Sequence, residues 1–184
     1  NGISSGQARI YTWNGSSWIQ LGSAINGYAS YDYAGASVSL SVNGDIVAIG
    51  SPFNDSNGTE SGNVRIYSFD GNDWIQLGSD INGLAAYDYS GRSVSLSSDG
   101  SVIAIGSPSN DGNGNDAGHV RVYKFNGSNW VLEETIDGDS PIDKSGSSVS
   151  LSGDGNVVAI GSPYNDDNGV DAGHVRVYNL SDTS

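Results

Sequence analysis

One phrase, Ser-Val-Ser-Leu-Ser, occurs three times in this chain, at residues 37–41, 93–97 and 148–152, with offsets of 56 and 55 residues. Self-similarity at such a spacing means that one supersecondary unit is repeated, and that the fold must stack its copies to bury a core. The likeness runs well beyond the phrase. The stretch 47–52 (Val-Ala-Ile-Gly-Ser-Pro) returns at 103–108 and 158–163, and Arg-Ile/Val-Tyr begins at Arg9, Arg65, Arg121 and Arg176. Trp18, Trp74 and Trp130 mark another shared position, after which one residue is lost, where 131–136 replaces 75–81.

Within a unit, apolar residues alternate with small or polar ones between Asn-Gly and Asp-Gly signals, which predicts short antiparallel strands. Strand A covers 94–97, strand B 102–106, strand C 120–123, and strand D starts at Trp130. Asp99-Gly100 is read as a two-residue hairpin from A to B, like Asn43-Gly44 and Asp154-Gly155. Asn14-Gly15, Asp70-Gly71 and Asn126-Gly127 turn C toward D. No segment has a helical period. The expectation is an all-β fold of β-propeller-type repeats, with four-stranded antiparallel blades of about 55 residues and about 3.3 repeats. A β-sandwich is the alternative, and it does not explain repeats this regular.

The units fall at 1–36 (a partial repeat, strands C and D with a link), 37–92 and 93–147 (full repeats), and 148–184 (strands A, B and C). That predicts 13 strands, three blades plus one strand, against roughly four to eight blades in closed propellers. Open strand edges and blade faces follow, so the expected partners are other copies of the chain or further blades of a longer one, in a ring or a filament. A start at Asn1 in mid-pattern, without an initiator Met, is read as a processed chain or a fragment.

At Gly-Arg-Ser-Val-Ser-Leu-Ser (91–97), Ala-Ile-Gly-Ser-Pro (104–108), Gly-His-Val-Arg-Val-Tyr (118–123) and their copies, the chain resembles the FG-GAP, or integrin-alpha-like, propeller repeat. The resemblance covers nearly the whole chain and is close to long repeat proteins of bacterial and algal cell surfaces. It implies a secreted, non-catalytic propeller. Integrin-type blades often carry an Asp-rich calcium loop between their first two strands, and only 42–45, 98–100 and 153–155 stand there in this chain, so that metal site is not carried over.

Seven basic residues against 21 acidic ones give a net charge of −14, which repels nucleic-acid phosphates and anionic membrane surfaces. Nucleic acid and direct membrane insertion are therefore not expected, and the absence of Cys leaves the compartment open. In an up-and-down blade the B–C loops and D–A links share one face. That face receives Asp32, Asp55, Glu60, Asp80, Asp88, Asp111, Asp116, Asp137, Asp139, Asp143, Asp166, Asp167 and Asp171, which is 13 of the 21 carboxylates. The B–C loops offer Asp55, Asn57 and Glu60, then Asp111, Asn113 and Asp116, then Asp166, Asn168 and Asp171 as oxygen ligands for Ca2+. Their spacing is not that of an EF-hand, and the competing reading is that Asn and Asp cap the turns. No cofactor is certain, with Ca2+ the one candidate.

Each repeat arginine alternates with its apolar neighbours on strand C, so its guanidinium points to one sheet face and is expected to pair with a carboxylate or carbonyl there. Trp18, Trp74 and Trp130 are expected to pack between blades, with a sugar-stacking platform as the alternative. His119 and His174 share a repeat position one blade apart, and no nucleophile elbow, zinc motif or phosphate loop is present, so an enzyme is not expected. Sequons stand at Asn14, Asn54, Asn57, Asn126 and Asn179, all in turns or loops. The expectation is a non-catalytic, extracellular structural or adhesive module at a cell surface, possible partners including glycans and cell-surface proteins. A lectin-like, carbohydrate-binding propeller is the alternative.

Overall fold

The computed structural model describes residues 2–180. Four antiparallel sheets follow one another along the chain. Strands β1 (Gln7–Trp13) and β2 (Trp18–Asn26) form the first. The second holds β3 (Ser37–Leu40), β4 (Ile46–Ser51), β5 (Asn63–Phe69) and β6 (Trp74–Gln76) in that order, with β7 (Ile81–Asn82) also on β5. The third runs β8 (Ser93–Leu96), β9 (Val102–Ser107), β10 (His119–Phe125), β11 (Trp130–Asp137). The last holds β12 (Ser148–Leu151), β13 (Val157–Ser162) and β14 (His174–Asn179). Sequential neighbours in one sheet make each unit an up-and-down blade, and the all-β propeller-type fold expected from the repeats is what the chain adopts.

Two details differ from expectation. The described residues form 14 strands and not 13, because strand D of the second sheet is interrupted between β6 and β7. Gly78 there has φ +76, and a Cβ on it would lie 2.9 Å from Trp130 Cδ1 of the next blade. Gly22 meets Trp74 Cδ1 at the same 2.9 Å within the unbroken β2, so a left-handed glycine makes room for the neighbouring indole in both blades. The A–B connections are also longer than two-residue hairpins, spanning 41–45, 97–101 and 152–156. Asp99 holds one of them, its Oδ1 accepting from Ser97 Oγ at 2.7 Å and from the Ser101 amide at 2.9 Å. These bonds depress the Asp99 carboxyl below the usual range, the Ser101 amide bond most of all.

Alternation along the strands gives each blade two apolar faces. Ala48, Val64, Ile66 and Ile81 pack against Ile103, Ile105, Tyr123 and Trp130 of the following blade. Val47, Ile49, Tyr67 and Trp74 pack the other way, onto Ala8, Ile25 and Ala34. The innermost strands are tied by serines: Ser39 Oγ accepts from the Leu96 amide at 3.0 Å, and Ser95 Oγ from the Leu151 amide at 2.9 Å.

The blades approach closely at strand B. A Cβ on Gly106 would stand 2.0 Å from the Gly146 carbonyl oxygen of the link that enters the next blade, whereas one on Gly161, at the same repeat position, meets only side-chain Ser148 Oγ at such range. Gly106→Ala must therefore push two blades apart, a cost of about 2 kcal/mol or more. Urea unfolding should show this loss for Gly106→Ala and a much smaller one for Gly161→Ala; equal losses would contradict interblade contact as its cause.

Candidate functional site: the interblade seam and the loop face

The repeat arginines lie in the seam between blades. Arg65 is buried, donating from Nη1 to Tyr67 Oη at 3.1 Å and from Nη2 to the Asn26 carbonyl of the preceding blade at 3.3 Å, with its guanidinium 3.8 Å from the Tyr28 ring centroid. Arg121 repeats the pattern with Tyr123 Oη at 2.6 Å and the Asn82 carbonyl at 2.8 Å, and adds Ser90 Oγ at 3.1 Å. Burial pushes Tyr67 up to about 12, the positive Arg65 opposing it. Arg176, half-exposed in the last sheet, pairs with the Asp139 carboxylate, while Arg9 is exposed.

The tryptophans follow the same rule. Trp74 and Trp130 are buried, and each indole Nε1–H donates to a carbonyl of the preceding blade, Leu21 and Leu77, both at 2.8 Å. Trp18 is 67% exposed and touches Trp13 at a centroid distance of 5.5 Å.

On the loop face, the first and last ligand candidates of each B–C loop close the loop on itself. Asp55, Asp111 and Asp166 each accept through Oδ1 the amide of Glu60, Asp116 and Asp171, all at 2.8 Å. Those three recipients have φ of 52–55°, so the carboxylate cap holds a residue in the left-handed region. Asn57 Nδ2 donates to the Gly83 carbonyl at 2.7 Å and Asn113 Nδ2 to the Gly138 carbonyl at 2.8 Å, which turns both amides toward the next D–A link. Asn168 is exposed. Glu60 accepts from Tyr89 Oη at 2.8 Å, and Asp116 pairs with Lys144 at 2.6 Å. The Lys144 bond holds the Asp116 carboxyl below its usual range. Among the described residues, the only group of three His or acidic ligands within 4.8 Å is Asp139, Asp143 and His174, with Arg176 already on Asp139.

Three carboxylates assigned to the acidic face are internal. Asp32, Asp88 and Asp143 are buried. Asp88 Oδ2 accepts the amides of Leu84 and Ala85 at 3.1 and 2.9 Å, and its Oδ1 takes Asn110 Nδ2 at 3.1 Å; Asn165 Nδ2 reaches Asp143 in the same way at 3.0 Å. Asp88 and Asp143 pin the D–A link to the B–C loop beside it, and Asp32 Oδ2 takes the Ala29 amide within its own link at 2.9 Å. Their recurrence at 32, 88 and 143, two residues before Ala/Ser-Gly, is the signal that marks them as structural.

Of the sequons, Asn14 and Asn126 are exposed, each accepting turn amides through Oδ1. Asn54 is buried, and Nδ2 of Asn57 is engaged as described. Asn179 ends β14, and Ser181, which completes its sequon, lies outside the described residues.

His119 shares the seam with Arg121, buried, with Nε2 lacking a hydrogen-bond partner. Burial first, and the Arg121 charge second, push its pKa down from 6.5 to about 4, against the opposing pull of Asp88 and Asp137. The folded chain thus keeps His119 neutral where the unfolded chain protonates it. Stability is unaffected above about pH 6.5 and falls as pH drops toward 4, by on the order of 3 kcal/mol. His119→Asn, which supplies the residue that Asn63 provides in the preceding blade, should flatten the stability profile over that window. Identical slopes for the two proteins in urea titrations across it would refute the assignment.

The fold has relatives among solved structures. A putative 6-phosphogluconolactonase from Bacteroides uniformis superposes with a TM-score of 0.60 at 12% identity, over 96% of this chain and 45% of that one. The complex of KlAtg21 with the coiled-coil of AgAtg16 gives a TM-score of 0.53 at 16% identity, over 80% of this chain and 40% of that one. The chain thus spans less than half the length of either, and at these identities the likeness concerns the fold alone. No curated protein matches in sequence. The FG-GAP repeat family model matches residues 82–123 and 137–178, each running from the end of one strand D to the following strand C. Two adjacent stretches of the chain, 82–123 and 137–178, are thus FG-GAP repeats.

Proposed function

We propose that this chain is a non-catalytic, extracellular structural or adhesive module that works by stacking its open blade faces on blades of the same type. FG-GAP repeats are typical of extracellular, generally non-enzymatic proteins, and no helix of the described residues is long and apolar enough to cross a membrane.

The observation that carries the reading is an asymmetry between equivalent positions. Tyr67 and Trp74 are buried, yet Tyr11 and Trp18 in the first sheet are 45% and 67% exposed. Val94 and Leu96 are buried, yet Val38 and Leu40, which lack inner strands in front of them, are exposed. At the other end Val175 and Val177 are 69% and 67% exposed, where Val64, Ile66, Val120 and Val122 are at most 2%. The first sheet presents the face that receives a preceding blade and the last presents the face that receives a following one, so the two are complementary. Blades of the same type, from a second copy or from a longer chain, provide what each lacks; between copies the contact is head-to-tail and closes into a ring or continues as a filament.

Light scattering on the 184-residue chain at micromolar concentration should give species heavier than 19.0 kDa, and Trp18→Asp or Val177→Asp should return them toward a single copy without unfolding it. One sharp single-copy species for the parent chain would overturn the proposal. Because internal caps close the B–C loops, excess chelator should leave the melting temperature unchanged; a lowered value together with near-integral bound calcium would contradict that.

A further inference from the structure

The loop face carries one place where the repeat is broken. On that face the D–A links and B–C loops carry an aromatic row: Tyr33 and Phe53 lie 5.1 Å apart between ring centroids, and Phe53 and Tyr89 5.4 Å. By the repeat, Phe53 corresponds to Ser109 and then Tyr164, Tyr89 corresponds to Lys144, and Arg92 corresponds to Ala36 and Ser147. Ser109 and Lys144 thus remove two rings from the row, and Arg92 adds a cation next to the gap. The result is an open cavity of about 350 Å3, lined among others by Phe53, Tyr89, Arg92, Ser109, Lys144 and Tyr164. That volume is at the lower end of small-molecule sites, about 300–1,000 Å3.

The charges in this cavity are unequal. Lys144 is neutralised, its ammonium 2.6 Å from Asp116 Oδ1 and 2.9 Å from Ser109 Oγ. Glu60, outside the lining, accepts the Tyr89 hydroxyl. The Arg92 guanidinium is exposed and has no hydrogen-bond or ion-pair partner among the described residues, in a protein with three acidic groups for each basic one. A planar fork of donors left unpaired suits one carboxylate. Phe53 and Tyr164, 36% and 49% exposed, offer apolar ring surface to the C–H side of a pyranose, and Ser147 Oγ, which donates its proton to the Lys144 carbonyl at 2.6 Å, keeps lone pairs for a sugar hydroxyl.

We propose that this cavity binds a hexuronate, a singly charged sugar acid, with the carboxylate on Arg92 and the sugar ring against Phe53 and Tyr164. The site lies on one copy of the chain and is independent of the stacking of blade ends.

The test is titration of the chain with glucuronate, glucose and acetate, followed by NMR shifts. Saturable glucuronate binding, at least tenfold tighter than either glucose or acetate, is expected. Arg92→Ser, which installs the residue found at 147, should weaken it at least tenfold, and Ser109→Phe, which restores the ring found at 53, should abolish it. Both variants carry residues that the same fold accepts in another blade, and their melting curves check that they fold. Absence of saturable glucuronate binding, equal affinity for glucose or for acetate, or full retention by Arg92→Ser in a folded protein would each overturn the proposal.

Discussion

The structure depends on a polar bond made across an otherwise apolar seam. Each complete blade sends an indole N–H and an arginine fork to carbonyl oxygens of the blade before it, from Trp74 and Arg65 to Leu21 and Asn26, and from Trp130 and Arg121 to Leu77 and Asn82. Those carbonyls belong to strand D, the outer edge of a sheet, and would otherwise face a dry interface without partners, at a cost of about 1–3 kcal/mol apiece. The apolar residues around them provide most of the driving force, but oil alone tolerates sliding. The directed bonds set the register in which one blade meets the next, and the left-handed Gly78 leaves room for the indole that makes one of them. The seam is not fully satisfied: Nε of both arginines lacks a partner, as do Ser51 Oγ and Ser107 Oγ at matching positions.

The acidic character of the chain has two origins that the net charge of −14 conceals. Asp32, Asp88 and Asp143 are internal struts, while Asp55, Asp111 and Asp166 are caps on left-handed residues. A carboxylate receiving several N–H bonds is a compact way to hold a long link without a hydrophobic core of its own. Conserving the architecture from blade to blade therefore accounts for many of the charges, and the unusual places are those where the pattern lapses, as at Arg92, Ser109 and Lys144.

Much of the blade was legible because strand alternation and repeat spacing report directly on the backbone. Arg121 could be placed on one face of strand C from its apolar neighbours, and a carboxylate or a carbonyl as its partner follows from the donor fork; the structure supplies the Asn82 carbonyl. What could not be read was anything set by contact between repeats. The left-handed glycine at Gly78 leaves room for the indole of Trp130, 52 residues away, as Gly22 does for Trp74. The burial of Asp88 depends on Asn110 reaching across a loop. The A–B links proved longer than a two-residue turn because the Ser97 carbonyl takes the Gly100 amide and the Ser97 hydroxyl, in its place, takes the Val102 amide, both at 3.0 Å. The cavity beside Arg92 appears only as a lapse in the repeat, and comparing the three copies position by position is the one sequence signal that locates it.

The central claim is that indole and guanidinium bonds bind blade to blade, and the indole protons report on it directly. Solvent exchange of the Nε1–H groups, followed by NMR, should find Trp74 and Trp130 protected by ~100-fold or more relative to a free indole. Exchange of both at the free-indole rate in the folded chain would contradict the account.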